Sequence, residues 1–117
     1  MDYLIRKIKR EDTKSISHVV TVAWNETYKG IVPDDFLEEL KHNESERANN
    51  FYNKFDEAND HYFVLEIKNE VVGFVRYGAA FDPDFDNCGE IIALYIINKY
   101  HGYGYGRKLV DAAILEL

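Results

Sequence analysis

Glycines alternate with larger residues in a short run late in the chain, at Gly102, Gly104 and Gly106. The run follows the apolar stretch 91–96, which has the composition of a strand, and a helical pattern begins at about Tyr105. A turn from strand to helix leaves the first N–H groups of the helix without partners, and together with the helix dipole they attract anions. Glycines also let a phosphate approach the backbone closely. The run therefore predicts a site for a phosphate or pyrophosphate.

The spacing of these glycines differs from two common nucleotide motifs. The dinucleotide fingerprint is G-x-G-x-x-G in a first βαβ unit, whereas this run is G-x-G-x-G and lies late in the chain. The P-loop needs lysine and then serine or threonine after its last glycine, but here Arg107, Lys108 and Leu109 follow. Neither nucleotide motif fits, and the alternative to a phosphate site is a flexible glycine-rich turn without a ligand.

The rest of the sequence predicts the elements that position this run. A strand is expected at 3–8, and a helix capped by Asp12 or Thr13 ends at Gly30. Further helices are expected from Pro33 and over 45–58. A hairpin at 62–67 and 71–80, with a tight turn at 68–70, and a strand at 90–97 follow. This order predicts an α/β (α+β) fold with an antiparallel portion.

Apolar residues at helical spacing indicate which face each of the three early helices buries. The predicted buried residues are Ile16, Val19, Val20, Ala23, Trp24 and Thr27 in the first helix, Phe36, Leu37 and Leu40 in the second, and Ala48, Phe51, Tyr52 and Phe55 in the third.

The segment 101–106 resembles the cofactor motif (Q/R)-x-x-G-x-(G/A) of the GNAT family of N-acetyltransferases at every position but the first. The preceding segment 94–100 and the early segment 24–37 also resemble that family. The resemblance implies a GNAT-like mixed, mostly antiparallel sheet with flanking helices, in one domain spanning residues 1–117. Family members continue beyond the helix in which this chain ends, so we expect the domain to be truncated after its cofactor-binding helix.

The same resemblance implies that acetyl-CoA is the co-substrate. Backbone groups of Leu94 and Ile96 would bind its pantetheine arm like an added strand. The turn and the first helical N–H groups would hold the pyrophosphate. His101 stands where the family usually has glutamine or arginine, which makes any contribution of this side chain weaker or dependent on pH. The implied cofactor-binding residues are Leu94, Ile96, His101, Gly102, Tyr103, Gly104, Tyr105, Gly106 and Arg107.

The reaction implied is transfer of acetyl to an amine of a small molecule or peptide. Glu90, at the start of the strand that leads to the glycine run, is the candidate general base; the alternative is a solvated carboxylate at a strand end. Trp24 and Tyr28, four residues apart, are candidates for the acceptor pocket, and core packing is the alternative, favoured for Trp24.

Two other functions remain open. The chain could be a catalytically inactive acyl-CoA-binding or dimerisation module derived from the same fold, or an unrelated α/β domain with a phosphate site. If the strand at 90–97 is left as an exposed sheet edge, pairing with another chain would cover it. We therefore expect a homodimer.

The composition of the chain limits which classes of binding partner are expected. With 14 basic and 21 acidic residues and a net charge of −7, the chain is not expected to bind nucleic acid. No apolar run approaches the roughly 20 residues of a membrane span, so no membrane association is expected. A single cysteine, Cys88, and a start without a signal-peptide pattern indicate a cytoplasmic protein. No histidine spacing or calcium-loop pattern predicts a metal site; the acidic run at 82–87 lacks the required glycine and is expected to be a solvated loop.

Overall fold

A four-stranded antiparallel sheet forms the centre of the computed structural model, which describes residues 2–57, 61–79 and 89–116. The described strands follow one another across the sheet in chain order. β4 therefore lies at one edge, with only β3 as a described neighbour. The strands are β1 (Leu4–Lys7), β2 (His61–Ile67), β3 (Glu70–Ala79) and β4 (Gly89–Ile96).

Helices cover both faces of the sheet. α1 and α3 are associated with one face, and α4 lies against the other, where its residues join the core formed by β2 and β3. The described helices are α1 (Thr13–Tyr28), α2 (Asp34–His42), α3 (Glu44–Asn53) and α4 (Tyr105–Glu116). The predicted α/β class and its antiparallel sheet with flanking helices are confirmed.

The hairpin is made by a two-residue turn. Lys68 and Asn69 both have positive φ, 54° and 65°, which is the conformation of a type I′ turn. Asparagine tolerates this region better than most residues, and the turn matches the right-handed twist of the flanking strands. The predicted tight turn is confirmed, with Glu70 already paired to Ile67 in the sheet.

Two apolar clusters hold the layers together. On the α1 side the buried residues are Ile16, Val19, Val64, Val71 and Phe74. The cluster on the α4 side is larger and includes the start of α4. It consists of Leu65, Ile67, Val72, Val75, Tyr77, Tyr100, Tyr105, Leu109 and Ala113.

The start of α1 differs from the sequence-based expectation. Asp12 makes no side-chain capping bond to α1, because it is the last residue of a 3₁₀ turn and already has helical φ and ψ of −78° and −10°. Its carboxylate accepts hydrogen bonds from Arg6 at 2.8 and 3.0 Å and from the Lys9 N–H at 2.7 Å. Thr13 Oγ1 donates to the Arg10 carbonyl instead. The prediction that one of these two side chains caps α1 is therefore wrong.

The buried Asp12 carboxylate is compensated by its partners. Burial by itself raises the pKa of Asp12, but the hydrogen bonds from Arg6 and the Lys9 N–H outweigh it and leave the pKa below its ordinary value. Arg6 also donates to Glu66 at 3.3 Å. This network ties β1 to β2 and to the entry of α1.

The residues of the predicted apolar faces are buried or half-buried, with three exceptions. Thr27, in the last turn of α1, is exposed. Phe36 is 47% exposed and packs on Trp24, and Tyr52 is 49% exposed and lies under the Arg10 guanidinium. Gly30 has the left-handed conformation predicted for the end of α1, with φ of +84°. The acidic run at 82–87 and Cys88 lie outside the described residues.

Candidate functional site

The glycine run forms an open, left-handed turn between β4 and α4. Gly102 has φ of +86° and Gly104 has φ of +79°, a region that residues with a Cβ rarely adopt. No atom beyond the adjacent chain residues lies within 4 Å of where a Cβ would stand at either position. The glycines are therefore required by backbone conformation, and the space beside them is open to a ligand.

The first turn of α4 presents unpaired N–H groups beside these glycines. The first bond of the helix runs from the Lys108 N–H to the Gly104 carbonyl, at 3.2 Å. The helix therefore offers no acceptor to the N–H groups of Gly104, Tyr105, Gly106 and Arg107. With the helix dipole, these groups give the turn a local positive potential that favours an anion, which is the kind of site that the sequence predicts here.

A pocket of about 340 Å³ joins this turn to β4. Of the nine cofactor residues expected from the sequence, seven line it. The pocket also includes Tyr100, which the motif did not single out and whose ring is buried in the α4-side cluster. The lining residues are Leu94, Ile96, Tyr100, His101, Gly102, Gly104, Tyr105 and Gly106.

The remaining two cofactor candidates lie outside the pocket lining. Tyr103 is 56% exposed and its ring stacks on that of Tyr105, with centroids 5.8 Å apart. The side chain of Arg107 is exposed. Tyr105 itself is only 5% exposed, because its ring packs in the core. Its backbone, rather than its hydroxyl, is the part suited to an anion.

The free edge of β4 presents backbone groups of two predicted residues. The Ile97 N–H donates to the Val72 carbonyl at 3.1 Å, so Ile97, directly after β4, and Val72 of β3 form a hydrogen-bonded pair. Hydrogen-bonded and non-hydrogen-bonded pairs alternate along an antiparallel ladder. Ile96 and Leu94, which pair with Gly73 and Val75, therefore direct their N–H and C=O groups away from β3.

His101 already contacts one of these outward groups. Its Nε2 lies 2.6 Å from the Ile96 carbonyl oxygen, and since a carbonyl can only accept, Nε2 is the donor. The imidazole thus occupies a hydrogen-bonding position at the open edge. A ligand that pairs with the Ile96 carbonyl has to share or displace this bond.

Glu90 lies on the face of the sheet opposite to the glycine pocket. It pairs with Gly78, which is two residues from Arg76 and therefore on the same face, the one that α1 covers. Simple alternation would place Glu90 with Leu94 and Ile96 on the α4 face. A bulge next to Ile92 reverses this, because Arg76 pairs with Ala93 and Tyr77 with Ile91.

Trp24 and Tyr28 form an aromatic cluster at the end of α1. Their ring centroids are 4.4 Å apart, and Phe36 of α2 lies 5.6 Å from Trp24. Trp24 Nε1 donates a hydrogen bond of 3.2 Å to the Tyr95 hydroxyl on β4. Trp24 thus packs against neighbouring aromatic rings, in line with core packing as the alternative given for it above. Its hydrogen bond also holds the Tyr95 hydroxyl in position.

Two further features bear on function. No group of three or more His, Cys, Asp or Glu side chains within residues 2–57, 61–79 and 89–116 is arranged to hold a metal ion. Over the same residues, none of the helices has the length and apolar character to cross a membrane.

An antiparallel sheet with helices on both faces, an edge strand and a glycine turn that opens α4 define this as an α/β domain. The model of the acetyltransferase (GNAT) family matches residues 18–116, and the chain belongs to that family. The resemblance seen in the sequence is therefore confirmed.

Two curated relatives are named as N-acetyltransferases. An uncharacterized N-acetyltransferase of Bacillus subtilis, YuaI, is 29% identical over 106 residues, which is 91% of this chain and 59% of the relative. An uncharacterized N-acetyltransferase of Archaeoglobus fulgidus is 28% identical over 111 residues, which is 92% of this chain and 71% of the relative. The chain thus spans about three fifths of the length of the Bacillus protein.

Solved structures share the fold. The PaiA N-acetyltransferase of Thermoplasma acidophilum, in complex with coenzyme A, superposes with a TM-score of 0.75 at 22% identity over 97% of this chain and 70% of its own. A GNAT family acetyltransferase of Brucella melitensis, in complex with acetyl-CoA, gives 0.67 at 17% identity over 98% and 68%.

Proposed function

We propose that the chain is an acetyl-CoA-dependent N-acetyltransferase that transfers acetyl to an amine of a small molecule or peptide. The observation that carries this proposal is that one pocket joins the glycine turn to the free edge of β4. Family membership and the two similar structures that hold coenzyme A or acetyl-CoA support it. A cytoplasmic location, supported by the presence of a single cysteine, belongs to the same proposal.

The residues present fit acetyl-CoA. The N–H groups from Gly104 to Arg107 suit the pyrophosphate, since they lack helical acceptors and the space beside Gly104 is open. The outward groups of Leu94 and Ile96 suit the amides of the pantetheine arm, which can pair like an added strand. His101 would hold the arm near the Ile96 carbonyl.

Acetyl-CoA supplies an acetyl thioester that is open to attack by an amine. The amine attacks only when neutral, so the chain has to take up its proton. We propose Glu90 for this step, directly or through water. Glu90 and the glycine pocket face opposite sides of the sheet, so the two ligands would meet across the free edge of β4. Trp24 and Tyr28 would border the acceptor on the α1 side.

The alternative is a catalytically inactive module that binds an acyl-CoA or dimerises. Its basis is the pair of residues Leu94 and Ile96, whose outward backbone groups could pair with a second chain as well as with a ligand. The alternative predicts acetyl-CoA binding without turnover, and the experiment below separates the two functions.

The test compares wild type with Glu90→Gln, which keeps the size of the side chain and removes its charge. We expect both proteins to bind acetyl-CoA equally in calorimetry. Thiol release with a panel of primary amines should fall about 10²- to 10⁴-fold in the variant, the range for loss of a general base.

Each other outcome has a defined meaning. Absence of acetyl-CoA binding to wild type overturns the cofactor proposal. Binding without thiol release in wild type supports the inactive module. Equal rates in wild type and Glu90→Gln, with turnover present, remove Glu90 from the mechanism.

We also propose a homodimer that pairs through the edge of β4. The outward groups of Leu94 and Ile96 could accept a second β4 strand, and Leu94 and Ile91 are 40% and 38% exposed. These are the same groups that the pantetheine arm would use. Dimer formation through this edge and acetyl-CoA binding should therefore compete.

Light scattering over a range of protein concentrations, with and without acetyl-CoA, tests this pairing. We expect dimers that dissociate as acetyl-CoA is added. A monomer that persists at the highest concentration contradicts the dimer, and a dimer unaffected by bound acetyl-CoA places its interface elsewhere.

A further inference from the structure

A second pocket, of about 290 Å³, lies between α1, α3 and the sheet. Two of its lining residues, Arg47 and Arg76, are basic, and none is acidic. This is the reverse of the whole chain, whose net charge is −7. The pocket is lined by Ile16, Ser17, Val20, Arg47, Phe51, Tyr62, Phe74, Arg76, Ala93 and Tyr95.

Arg47 is held in place by neutral oxygens. Its Nε donates to the Asn43 side chain at 2.8 Å, and its Nη2 donates to Thr21 Oγ1 at 2.6 Å and to the Leu40 carbonyl at 2.9 Å. These bonds join α3 to α1 and α2. They also fix the plane of the guanidinium, so that its Nη1 atom has a defined direction.

The charge of Arg47 has no ion-pair partner among the described residues. The carboxylate of Glu44 lies against His18 at 3.2 Å, and its field offsets only part of the burial that lowers the pKa of Arg47. The Nη1 atom makes one long bond, 3.5 Å to the Ser17 carbonyl, although it carries two hydrogens. A partly buried guanidinium with spare donor capacity is a favourable site for an anion.

The pocket shares a sheet face with the candidate base. Arg76 pairs with Ala93, and both line the pocket; Gly78, two residues along β3 from Arg76, pairs with Glu90. The glycine pocket opens on the other face. A molecule seated beside Arg47 and reaching along β4 would therefore approach Glu90 from the side away from the glycine turn.

We infer that this pocket binds a carboxylate carried by the acceptor amine, with Arg47 as its recognition residue. The inference rests on the proposed function, since it names the class of acceptor for the same site. A carboxylate fits better than a phosphate, because Arg47 has a single uncommitted N–H, on Nη1, and the walls are largely aromatic and aliphatic.

Matched probes test the inference without acetyl-CoA. We expect L-phenylalanine to bind wild type at least about tenfold more tightly than L-phenylalaninamide in ligand-observed NMR titrations, the difference expected for a charge-assisted hydrogen bond. Phosphoethanolamine is the third probe. Equal affinity for the first two probes overturns the inference, and a clear preference for phosphoethanolamine overturns the assignment to a carboxylate.

Two substitutions at Val20 test the role of the positive charge in the Arg47 pocket. Arg47→Met removes the guanidinium but also the bonds that join three helices, so it can unfold the chain. Val20→Asp instead places a carboxylate at the pocket, and Val20→Asn makes a change of nearly the same size without charge. We expect Val20→Asp to lose the preference for the carboxylate probe and Val20→Asn to retain it. If both variants retain it, the probe binds elsewhere and the inference fails.

The outcome can be separated from that of the proposed function. Acetyl-CoA binding and thiol release without a carboxylate preference leave the acetyltransferase standing and reject this pocket. A carboxylate preference in a chain that neither binds acetyl-CoA nor releases thiol leaves the pocket standing and rejects the proposed function.

Discussion

Replacing Gly104 with alanine is expected to weaken acetyl-CoA binding by about tenfold to a hundredfold, measured by calorimetry. The residue has φ of +79°, where a Cβ costs about 1–2 kcal/mol of conformational energy. The new methyl group would project into space that holds no protein atom within 4 Å, on the open side of the turn. It would also disturb N–H groups at the start of α4, and each lost charge-assisted hydrogen bond costs about 1.5–3 kcal/mol.

Gly30 offers a matched control for this substitution. Its φ is +84°, no protein atom lies within 4 Å of its missing Cβ, and it ends α1 away from the pocket lining. Gly30→Ala should cost similar stability in urea unfolding and leave acetyl-CoA affinity unchanged. If both variants bind equally well, the glycine turn does not hold the pyrophosphate, and if both lose affinity, backbone strain alone explains the effect.

Local patterns were sufficient to predict the glycine turn and the strand before it. Gly102 and Gly104 adopt a positive φ, which glycine tolerates and other residues rarely do, so the residue type predicts the turn. The strand before them can be predicted from its own run of apolar residues. The β2–β3 turn is similar, because Lys68 and Asn69 form it without help from distant residues. Where a feature depends on a few neighbours in sequence, the residue types are informative.

Features that depend on distant partners could not be predicted in this way. Asp12 has the residue type and position of a helix cap, but Arg6 on β1 draws its carboxylate into a different set of bonds. The face of Glu90 depends on a bulge in the pairing of β3 with β4, which the sequence of β4 alone does not reveal. The Arg47 pocket is assembled from α1, α3 and three strands, and no short motif marks it.

Replacing Leu109 with alanine is expected to cost about 3–5 kcal/mol of unfolding free energy, measured in urea. Leu109 is fully buried where α4 packs on the sheet, in the cluster that also contains Leu65 and Tyr105. Such a loss is a large part of the roughly 5–15 kcal/mol that holds a domain together. It acts on the helix whose first turn is proposed to bind the pyrophosphate, so stability and cofactor binding should be linked.

Leu115 is the matched control, since it lies on the same helix and is 87% exposed. Leu115→Ala should change stability by less than about 0.5 kcal/mol. Acetyl-CoA at a hundred times its dissociation constant should stabilise any variant with an intact site by about 2.7 kcal/mol. If acetyl-CoA stabilises Leu109→Ala by this full amount, Leu109 supports the fold but not the cofactor site. A reduced increment means that packing of α4 also sets the position of the first-turn N–H groups, and an equal loss of stability in both variants contradicts the assigned core.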